Sequence, residues 1–534
     1  MVNYSQFNTT SDVGLNIKNA LRFCKQNGVN TLSFNKGVYH INGNSVESRM
    51  LSISNHGRGQ RRIAFYLEDF SDFTIDFGGS EIILDDLMIA VVLKNSKNIT
   101  LKNFSIYNQV TMSAEGIIYD IVEDGFKMKV TDNRPLFVED GKLYALGYND
   151  EKNPIFLMNV WDKDTSYLVP QIGDVGFGKF KFSQLDQSEF KAEAPKEEIG
   201  RLKLKSGDRF SLQHRHRVSC GIHIDNSSDI KLFDYTIHNT SGMGVIAQNS
   251  KNIEIARMKV IPKLDECHTL NADATHFVHC SGLIHIHDSL FERQLDDALN
   301  VHGVYLRITE KRENSVILKF MHWETLDIDI VKKGSILATC DPLNLIPKKS
   351  YRVKDVKKLS AEEIEVFFED DISDITVGDN MDEISEVCDV IFENNICRYN
   401  RARSVLLASS GKIILRGNYF ESQGRTILFE SCGNFWFESG GTRDVLIADN
   451  TFNNCNYVGA YNKSGAVIMA VDRKAISDGK YFHKKIEISK NRFIDCQSTQ
   501  IYMTNVEHLI IKDNEFTDCA DIPPVITYVK QIES

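Results

Sequence analysis

Short runs of alternating apolar and polar residues recur along the C-terminal half of the chain, each with an asparagine at the same place. In each run the first and third residues are apolar, the sixth is asparagine and the eighth is usually phenylalanine. Such alternation predicts strands with one face buried, followed by a corner at the asparagine. The runs are VIFENNIC (390–397), IILRGNYF (413–420), VLIADNTF (445–452), IEISKNRF (486–493) and LIIKDNEF (509–516).

The spacing between runs identifies the architecture. Earlier runs at 230–237 and 253–260 share the apolar skeleton and begin 23 residues apart, the same interval that separates positions 390 and 413. A period in the low twenties without helical patterns between the strands is typical of a β-solenoid. A leucine-rich repeat has a similar period, but the runs lack its LxxLxLxxN pattern. We therefore predict an all-β solenoid whose asparagines stack inside the turns.

Two stretches interrupt the period and read as antiparallel β insertions. We expect the polar segment 188–208 in the first insertion to be an exposed hairpin or loop, and an amphipathic helix over roughly 12–26 to cap the open end of the coils. The predicted division is a capping helix region (1–30), the first coils (31–110), a barrel-like insertion (111–215), coils with acidic residues (216–303), a second insertion (304–385) and the C-terminal coils (386–534).

Three aspartates are the strongest candidates for chemistry. Asp296 and Asp297 are adjacent in ERQLDDALNVHG, and Asp273 lies 23 residues before Asp296, which is one basic coil. Successive coils lie roughly 4.8 Å apart. The three carboxylates are therefore expected on one face, with the adjacent pair at the end of a strand. Carboxylates this close raise at least one pKa, which equips a site for general acid and general base hydrolysis of a glycoside.

Two other interpretations of these acids stay open. Adjacent aspartates are often solvated turn residues, although a third acid one coil earlier is harder to explain in that way. Aspartate oxygens also gather calcium, as in a polysaccharide lyase. A lyase would need an arginine or lysine base, and it would lose activity with a chelator.

Further candidates for the site come from the same predicted face. Arg403 and Trp436 fall near the row of Asp273 when counted back from their strands, and an indole ring suits the C–H face of a sugar. Glu438 lies beside Trp436, and His302 follows the acidic pair; both are candidates for substrate binding. Each of these residues has a structural alternative as a core, surface or turn residue.

Two histidine-containing segments are weaker candidates. The run HRHR (214–217) reads as a solvated edge of the first insertion. His276 and His279 follow Asp273 but lack a metal-ligand context, so we predict no metal and no cofactor.

The composition narrows the classes of molecule that the protein is expected to bind. Net charge is −11, which argues against nucleic acid, because phosphate neutralisation needs clustered Lys and Arg. No apolar stretch is long enough for a spanning helix. The 11 cysteines form no CxxC pair and are expected as buried thiols, with Cys455, Cys496 and Cys519 stacked in one core row.

Five segments in order resemble glycoside hydrolase family 110, the α-1,3-galactosidases that act on blood group B and related α-galactosyl ends. The resemblance runs over most of the chain. Its most specific parts are FTIDFGGSEI (73–82), SGMGVIAQNSKNI (241–253), ADATHFVHC (272–280), QLDDALNVHG (294–303) and WFESGGTRDVLI (436–447). It implies a right-handed parallel β-helix with inserted small antiparallel β domains, inversion at the anomeric carbon and no metal.

The resemblance also implies site residues and partners. The acidic cluster falls on Asp273, Asp296 and Asp297, and by analogy with polygalacturonases Asp296 is the general acid while the other two activate water. The expected partner is a glycan with terminal α-1,3-linked galactose, branched or linear, and a homodimer is compatible with the sequence. The family is usually exported; this chain shows no signal peptide, which predicts a cytoplasmic protein if Met1 is the native start and an exported one if a signal was removed.

Three function classes therefore remain. The first is an exo-acting α-1,3-galactosidase. The second is a polysaccharide lyase or polygalacturonase-like hydrolase on the same fold. The third is a non-catalytic carbohydrate-binding solenoid, which would keep an aromatic groove but have no use for three converging acids.

Overall fold

The computed structural model describes residues 1–131, 135–146, 151–169, 173–214, 217–264, 266–471 and 479–533. Strands dominate these residues, so the all-β prediction is confirmed. The longest helix is Val13–Gln26, capped by the Asp12 carboxylate, which accepts the Leu15 N–H. Its buried face, which includes Ile17 and Leu21, packs into the core of the first coils, as expected of a cap.

Three ladders of parallel strands run through successive coils. The first ladder consists of Ser71–Leu84, Lys97–Asn108, Ser228–Ile237, Lys251–Val260, Ser281–His287, Cys388–Glu393, Lys412–Arg416, Asp444–Ala448, His483–Ser489, Ile501–Lys512 and Val525–Glu533. The second ladder consists of Leu290–Glu292, Ile396–Asn400, Tyr419–Ser422, Thr451–Asn453, Arg492–Ile494 and Glu515–Thr517.

The third ladder carries the functional face. It consists of Gly57–Glu68, Ile89–Lys94, Ile222–Asp225, Val245–Gln248, Thr275–Val278, Leu299–Lys311, Val405–Leu407, Ile427–Phe429, Ile468–Ala470 and the start of Ile501–Lys512. Each strand pairs in parallel with the equivalent strand of the next coil, so side chains at matching positions stack above one another.

The predicted asparagine ladder is present. The Asn395 N–H donates to Oδ1 of Asn418 at 2.9 Å, and the Asn418 N–H donates to Oδ1 of Asn450 at 2.9 Å. Asn491 and Asn514 continue the chain of bonds. The left-handed backbone expected at these asparagines instead belongs to the residue before each one: Asn394, Gly417, Asp449, Lys490 and Asp513. The corner therefore turns one residue earlier, and this leaves each asparagine amide pointing inward.

The thiols follow the predicted core row in part. Cys455 and Cys496 are fully buried in the coil core, whereas Cys519, on the last coil, is only partly buried. Its position at the end of the stack explains the difference, because fewer coils cover it.

The first insertion contains a seven-stranded antiparallel sheet in the spatial order Val175–Gly176, Leu157–Trp161, Arg209–Gln213, Ser113–Val122, Gly125–Val130, Glu189–Glu193 and Lys181–Gln184. A small sheet of Leu136–Glu139, Lys142–Leu146 and Lys152–Pro154 lies beside it. Of the exposed hairpin or loop expected over 188–208, a hairpin is present, since Glu189–Glu193 pairs with Lys181–Gln184, but the segment is not simply exposed. Glu189–Glu193 is a strand of the larger sheet, and Lys196–Leu202 is a helix that buries Ile199 and Leu202.

The second insertion is a closed antiparallel barrel. Its six strands pair in the cycle Leu299–Lys311, Ser315–Phe320, Glu363–Phe368, Pro347–Lys358, Ile336–Cys340, Asn380–Glu383 and back to the first. Strand Leu299–Lys311 belongs to both structures: its first residues pair with coils on either side, and its later residues enter the barrel. No helix in the described part of the chain is long and apolar enough to cross a membrane.

We expect replacement of Asn418 or Asn450 by leucine to destabilise the protein by about 1–3 kcal/mol each, because buried main-chain groups lose their partners. Chemical denaturation monitored by circular dichroism measures the change. Asn453→Leu is the control, since Asn453 ends the next strand, Thr451–Asn453, and its amide donates to the Glu421 side chain instead of a main-chain group; the change should cost less than about 0.5 kcal/mol. Equal losses in all three variants would show that the inward ladder has no special role.

Candidate active site

The three predicted acids converge, but in turns rather than on strands. Asp273 lies two residues before strand Thr275–Val278, and Asp296 and Asp297 lie just before strand Leu299–Lys311. The expectation that the adjacent pair ends a strand is therefore wrong; the pair precedes one. One oxygen from each of the three carboxylates lies within 4.8 Å of the others. A turn permits this because adjacent residues in a strand would point to opposite faces.

The register between the coils differs by one residue from the expectation. Thr275 pairs with Leu299, so Asp273 stacks on Asp297, not on Asp296. The Asp297 N–H donates to Oδ1 of Asp273 at 3.2 Å. Leu299 in turn pairs with Val405, which places Arg403 in the same row. Asp296 lies one residue outside this row and is the most exposed of the three acids.

Arg403 holds two of the acids. Its Nε donates to Asp297 Oδ1 at 2.8 Å and to Oδ2 at 3.2 Å, and its Nη2 lies 3.4 Å from Asp296 Oδ1. Burial alone lowers the pKa of Arg403, but the carboxylates of Asp297 and Asp296 outweigh it and raise that pKa, so the guanidinium stays charged. The predicted residue Arg403 is thus brought together with the acids.

Arg217 is a site residue that sequence reasoning missed. The expectation of a solvated edge at HRHR is wrong for Arg217, which is largely buried; its Nη2 lies 3.5 Å from Asp296 Oδ2. Arg215 and His216 of that run lie outside the described residues. The available signal was position: Arg217 stands where the chain returns from the first insertion to the coils, on the face that carries the acids.

Two histidines lie in series from Asp273, and the first of them, His276, also lines the cavity in front of the acids. The Nδ1 of His276 lies 2.6 Å from Asp273 Oδ2, and its Nε2 lies 2.9 Å from Nε2 of His302. The Nδ1 of His302 lies 2.6 Å from the Gly303 carbonyl oxygen, which can only accept. His302 was predicted to bind substrate; its ring instead lies behind Asp273, where it contacts His276.

The hydrogen-bond directions in this series follow from that carbonyl. His302 must donate from Nδ1; when its ring is neutral, it accepts at Nε2 from the Nε2–H of His276, and this Nε2 also lies 3.5 Å from Glu438 Oε1. Neutral His276 then has a bare Nδ1 that faces Asp273. Burial lowers the pKa of His276, which favours its neutral form. The contact of 2.6 Å is satisfied when Asp273 carries the proton and donates it.

The electrostatics agree with a protonated Asp273. Burial, followed by the Asp296 charge, raises the pKa of Asp273 to about 7. Burial also raises the pKa of Asp297, against the opposing effect of Arg403. Three carboxylates face two guanidiniums in this cluster. A proton on Asp273 reduces the excess of negative charge in this cluster.

A cavity of about 420 Å³ opens in front of Asp273 and Asp296, whereas Asp297 lies behind its wall. Trp436 and Glu438 also line it, as predicted for a sugar site, but they reach it from an excursion after strand Ile427–Phe429, not from the row of Asp273. The strand Glu438–Ser439 pairs with Gly303 and Val304. A β-carbon at Gly303 would lie 2.3 Å from the Ser439 hydroxyl, which explains the glycine.

The positions of Arg403 and Arg217 argue against a calcium ion in this cluster. A calcium ion needs six to eight oxygen ligands. In this cluster the carboxylate oxygens of Asp296 and Asp297 accept from Arg403, and Asp296 also faces Arg217. Two fixed cations occupy the positions around the acids, so the residues present fit proton chemistry better than a divalent metal.

We expect Asp273→Asn to stabilise the protein at pH 8. The folded-state pKa of about 7 lies above the unfolded value of about 3.9, so the folded protein binds the extra proton and wild-type stability falls as pH rises from roughly 4 to 7. Asparagine removes this fall, because its amide can donate to His276 as the protonated acid does. The gain should be about 2–4 kcal/mol at pH 8 and vanish near pH 4.

Urea denaturation of both proteins from pH 4 to pH 8 measures the difference. Asp444→Asn is the control, since Asp444 is a surface acid paired with Lys485 at 3.6 Å, and it should change stability by less than about 0.5 kcal/mol. A difference between wild type and Asp273→Asn that does not vary with pH would contradict the protonated state of Asp273.

Comparisons with known proteins extend over nearly the whole chain. A scan against models of protein families gives no match. The chain is 29% identical over 533 residues to α-1,3-galactosidase A of Shewanella woodyi, covering 95% of this chain and 83% of that protein. It is 27% identical over 528 residues to α-1,3-galactosidase B of Bacteroides thetaiotaomicron, covering 96% and 85%.

A solved structure of the family 28 exopolygalacturonase of Yersinia enterocolitica aligns with 99% of this chain and 78% of its own. Its sequence identity is 9% and its TM-score 0.44, a likeness too low to support a functional assignment.

Proposed function

We propose that this chain, a glycoside hydrolase whose resemblance to family 110 is confirmed by the α-1,3-galactosidases it matches, releases terminal α-1,3-linked galactose from glycans. The observation that carries the proposal is the convergence of three carboxylates at the wall of a cavity of about 420 Å³. The cavity suits the terminal sugar of a glycan, and the Trp436 indole on its wall offers a flat apolar surface to that sugar ring.

The proposed roles follow from exposure and contacts. Asp296 faces the cavity and is the most exposed acid, so it can reach the glycosidic oxygen and serve as general acid. Asp273 also faces the cavity but is buried and held by His276 and the Asp297 N–H, so it is placed to take a proton from a bound water. Asp297 lies behind the wall and fixes Arg403, so it assists water activation indirectly.

These roles require the shared proton to lie on Asp296 when the sugar is bound. In the empty cavity, burial favours its place on Asp273. A sugar that displaces solvent from Asp296 makes the ionised form of that carboxylate less favourable. The proton then shifts toward Asp296. The nearest oxygens of Asp273 and Asp296 lie within 4.8 Å of each other, so the proton has only a short distance to move.

We propose that the reaction inverts the anomeric carbon. The nearest oxygens of the acids lie within 4.8 Å, closer than the 6.5–9.5 Å typical between carboxyl groups of inverting enzymes. Asp273, however, accepts a main-chain hydrogen bond at one oxygen and contacts His276 with the other. A carboxyl group held in this way is better placed to orient a water than to attack carbon.

The same proposal includes the finer fold. We infer a right-handed parallel β-helix, since parallel strands joined by crossover connections are almost always right-handed. The three parallel ladders support this inference. A non-catalytic binding solenoid is disfavoured because it would bury Asp273 and Asp297 at a cost without using them.

If the reaction inverts, the first galactose released from an α-linked substrate is the β anomer. Proton NMR spectra taken during the first minutes of hydrolysis, before mutarotation, distinguish the two anomers. Release of α-galactose first would contradict the water-activating role of Asp273 and assign a nucleophile to the site.

We expect Asp296→Asn to lose about 10²–10⁴ in kcat on an α-1,3-linked digalactoside and clearly less on nitrophenyl α-galactoside, whose leaving group needs less protonation. Asp273→Asn and Asp297→Asn should lose similar factors on both substrates, because water activation does not depend on the leaving group. Steady-state kinetics on the two substrates tests the division of roles. Equal factors for all three variants would contradict it, and losses below tenfold in all three would contradict the site itself.

A further inference from the structure

Two large aromatic side chains are exposed at the mouth of the cavity. The Trp323 side chain is 67% exposed and Phe435 is 62% exposed. Most aromatic residues of the coils and of both insertions are buried, so two exposed rings on one rim need an explanation. Trp323 belongs to the short turn Trp323–Thr325 of the barrel, and Phe435 belongs to the excursion that carries Trp436.

The two rings are linked to the cavity through His322. The His322 ring lies 5.8 Å from the Trp323 ring and 5.8 Å from the Phe435 ring, measured between centroids. It lies 4.7 Å from the Trp436 ring, which is part of the cavity wall. Four rings therefore form one continuous surface, which begins inside the cavity at Trp436 and ends in solvent at Trp323. We call this surface, made of His322, Trp323, Phe435 and Trp436, the rim platform.

The rim platform is held in a fixed position relative to the acids. The Glu324 carbonyl accepts from the Asn55 N–H at 3.0 Å, and Asn55 lines the cavity. The Glu324 carboxylate faces Arg217 Nη1 at 3.4 Å, and Arg217 also contacts Asp296. The Arg217 guanidinium lies 5.3 Å above the Trp436 ring. One arginine thus joins the exposed turn, the cavity wall and an acid.

We propose that the exposed part of the rim platform, formed by Trp323 and Phe435 on either side of the buried His322, binds the sugar residues to which the terminal galactose is attached. This inference rests on the proposed function and deepens it by assigning a subsite for the leaving group. With galactose in the cavity, the rest of the glycan must leave through its mouth. The apolar C–H faces of those sugars can then pack on the exposed rings, while their hydroxyl groups remain in water.

The position of the rings favours this occupant over a protein partner. The surface is continuous with the catalytic cavity, and its rings stand on two different excursions, one from the barrel and one from the coils. A glycan emerging from the cavity meets both. The subsite therefore makes reactivity depend on what the galactose is attached to, beyond the chemistry of the bond that breaks.

Kinetics on two substrates separates this subsite from the cavity. An α-1,3-linked galactosyl trisaccharide offers two sugars to the rim platform, whereas α-galactosyl fluoride offers none and still needs the acids. The quantity to compare is kcat/KM for the trisaccharide divided by kcat/KM for the fluoride. We expect Trp323→Ala and Phe435→Ala each to lower this ratio by about tenfold. Trp323→Phe should retain most of it. Tyr528→Ala is the matched control, because Tyr528 is an equally exposed ring on the last strand, Val525–Glu533.

Tryptophan fluorescence provides a second measurement that does not need turnover. The chain has three tryptophans; Trp161 is buried and Trp436 lines the cavity, so iodide quenching reports mainly on Trp323. In an Asp296→Asn background the trisaccharide should protect more of this fluorescence from iodide than free galactose, which covers only Trp436. Trp323→Phe should abolish the difference between the two ligands.

The outcomes are distinct. An unchanged ratio in both alanine variants, or equal protection by galactose and trisaccharide, would overturn the subsite. A wild-type enzyme that hydrolyses neither the trisaccharide nor the fluoride would overturn the proposed function instead. Thermal denaturation of each variant identifies any loss that comes from unfolding, and Phe435→Ala keeps the test valid if Trp323→Ala does not fold.

Discussion

Main-chain hydrogen bonding between successive coils sets every other distance in this molecule. A parallel ladder fixes which residue of one coil lies over which residue of the next, and a slip of one residue would turn each side chain to the opposite face. In the third ladder this register places Asp273, Asp297 and Arg403 in one row. The asparagines at the corners reinforce it, because the side-chain amides of Asn395, Asn418 and Asn450 each bond to the coil before and to the coil after. The relative positions of these three site residues thus follow from the pairing of the main chain between coils.

Within that frame, charge balance governs the site. Burial makes ionised carboxylates costly, and two guanidiniums compensate two of them. The third, Asp273, can instead remain protonated. The series from His276 through His302 to the Gly303 carbonyl supplies an acceptor for that proton. Acid and base functions can then come from chemically identical side chains, because their surroundings differ.

The repeat in the sequence made much of the fold and part of the site predictable. The repeat gave the strands, the inward asparagines and the coincidence of Asp273 with the adjacent acids. The one-residue error in register arose because the turn before strand Leu299–Lys311 contains one residue more than a simple 23-residue coil requires. Trp323 was beyond reach for a different reason: it lies in an insertion, whose approach to the acids depends on how the insertion packs, and Arg217 was signalled only by its position where the chain returns to the coils. The domain boundaries and the functional roles of the site residues remain predictions.

The strand shared by coil and barrel limits how the enzyme can move. Leu299–Lys311 starts two residues after Asp297 and continues without interruption into the barrel that carries Trp323. Rotation of the barrel as a lid would drag the main chain beside the acids and disturb their spacing. The cleft is therefore better suited to remain open, with its two walls at a fixed separation. An enzyme with such a cleft turns over without a slow closing motion between the entry of a glycan end and the departure of galactose.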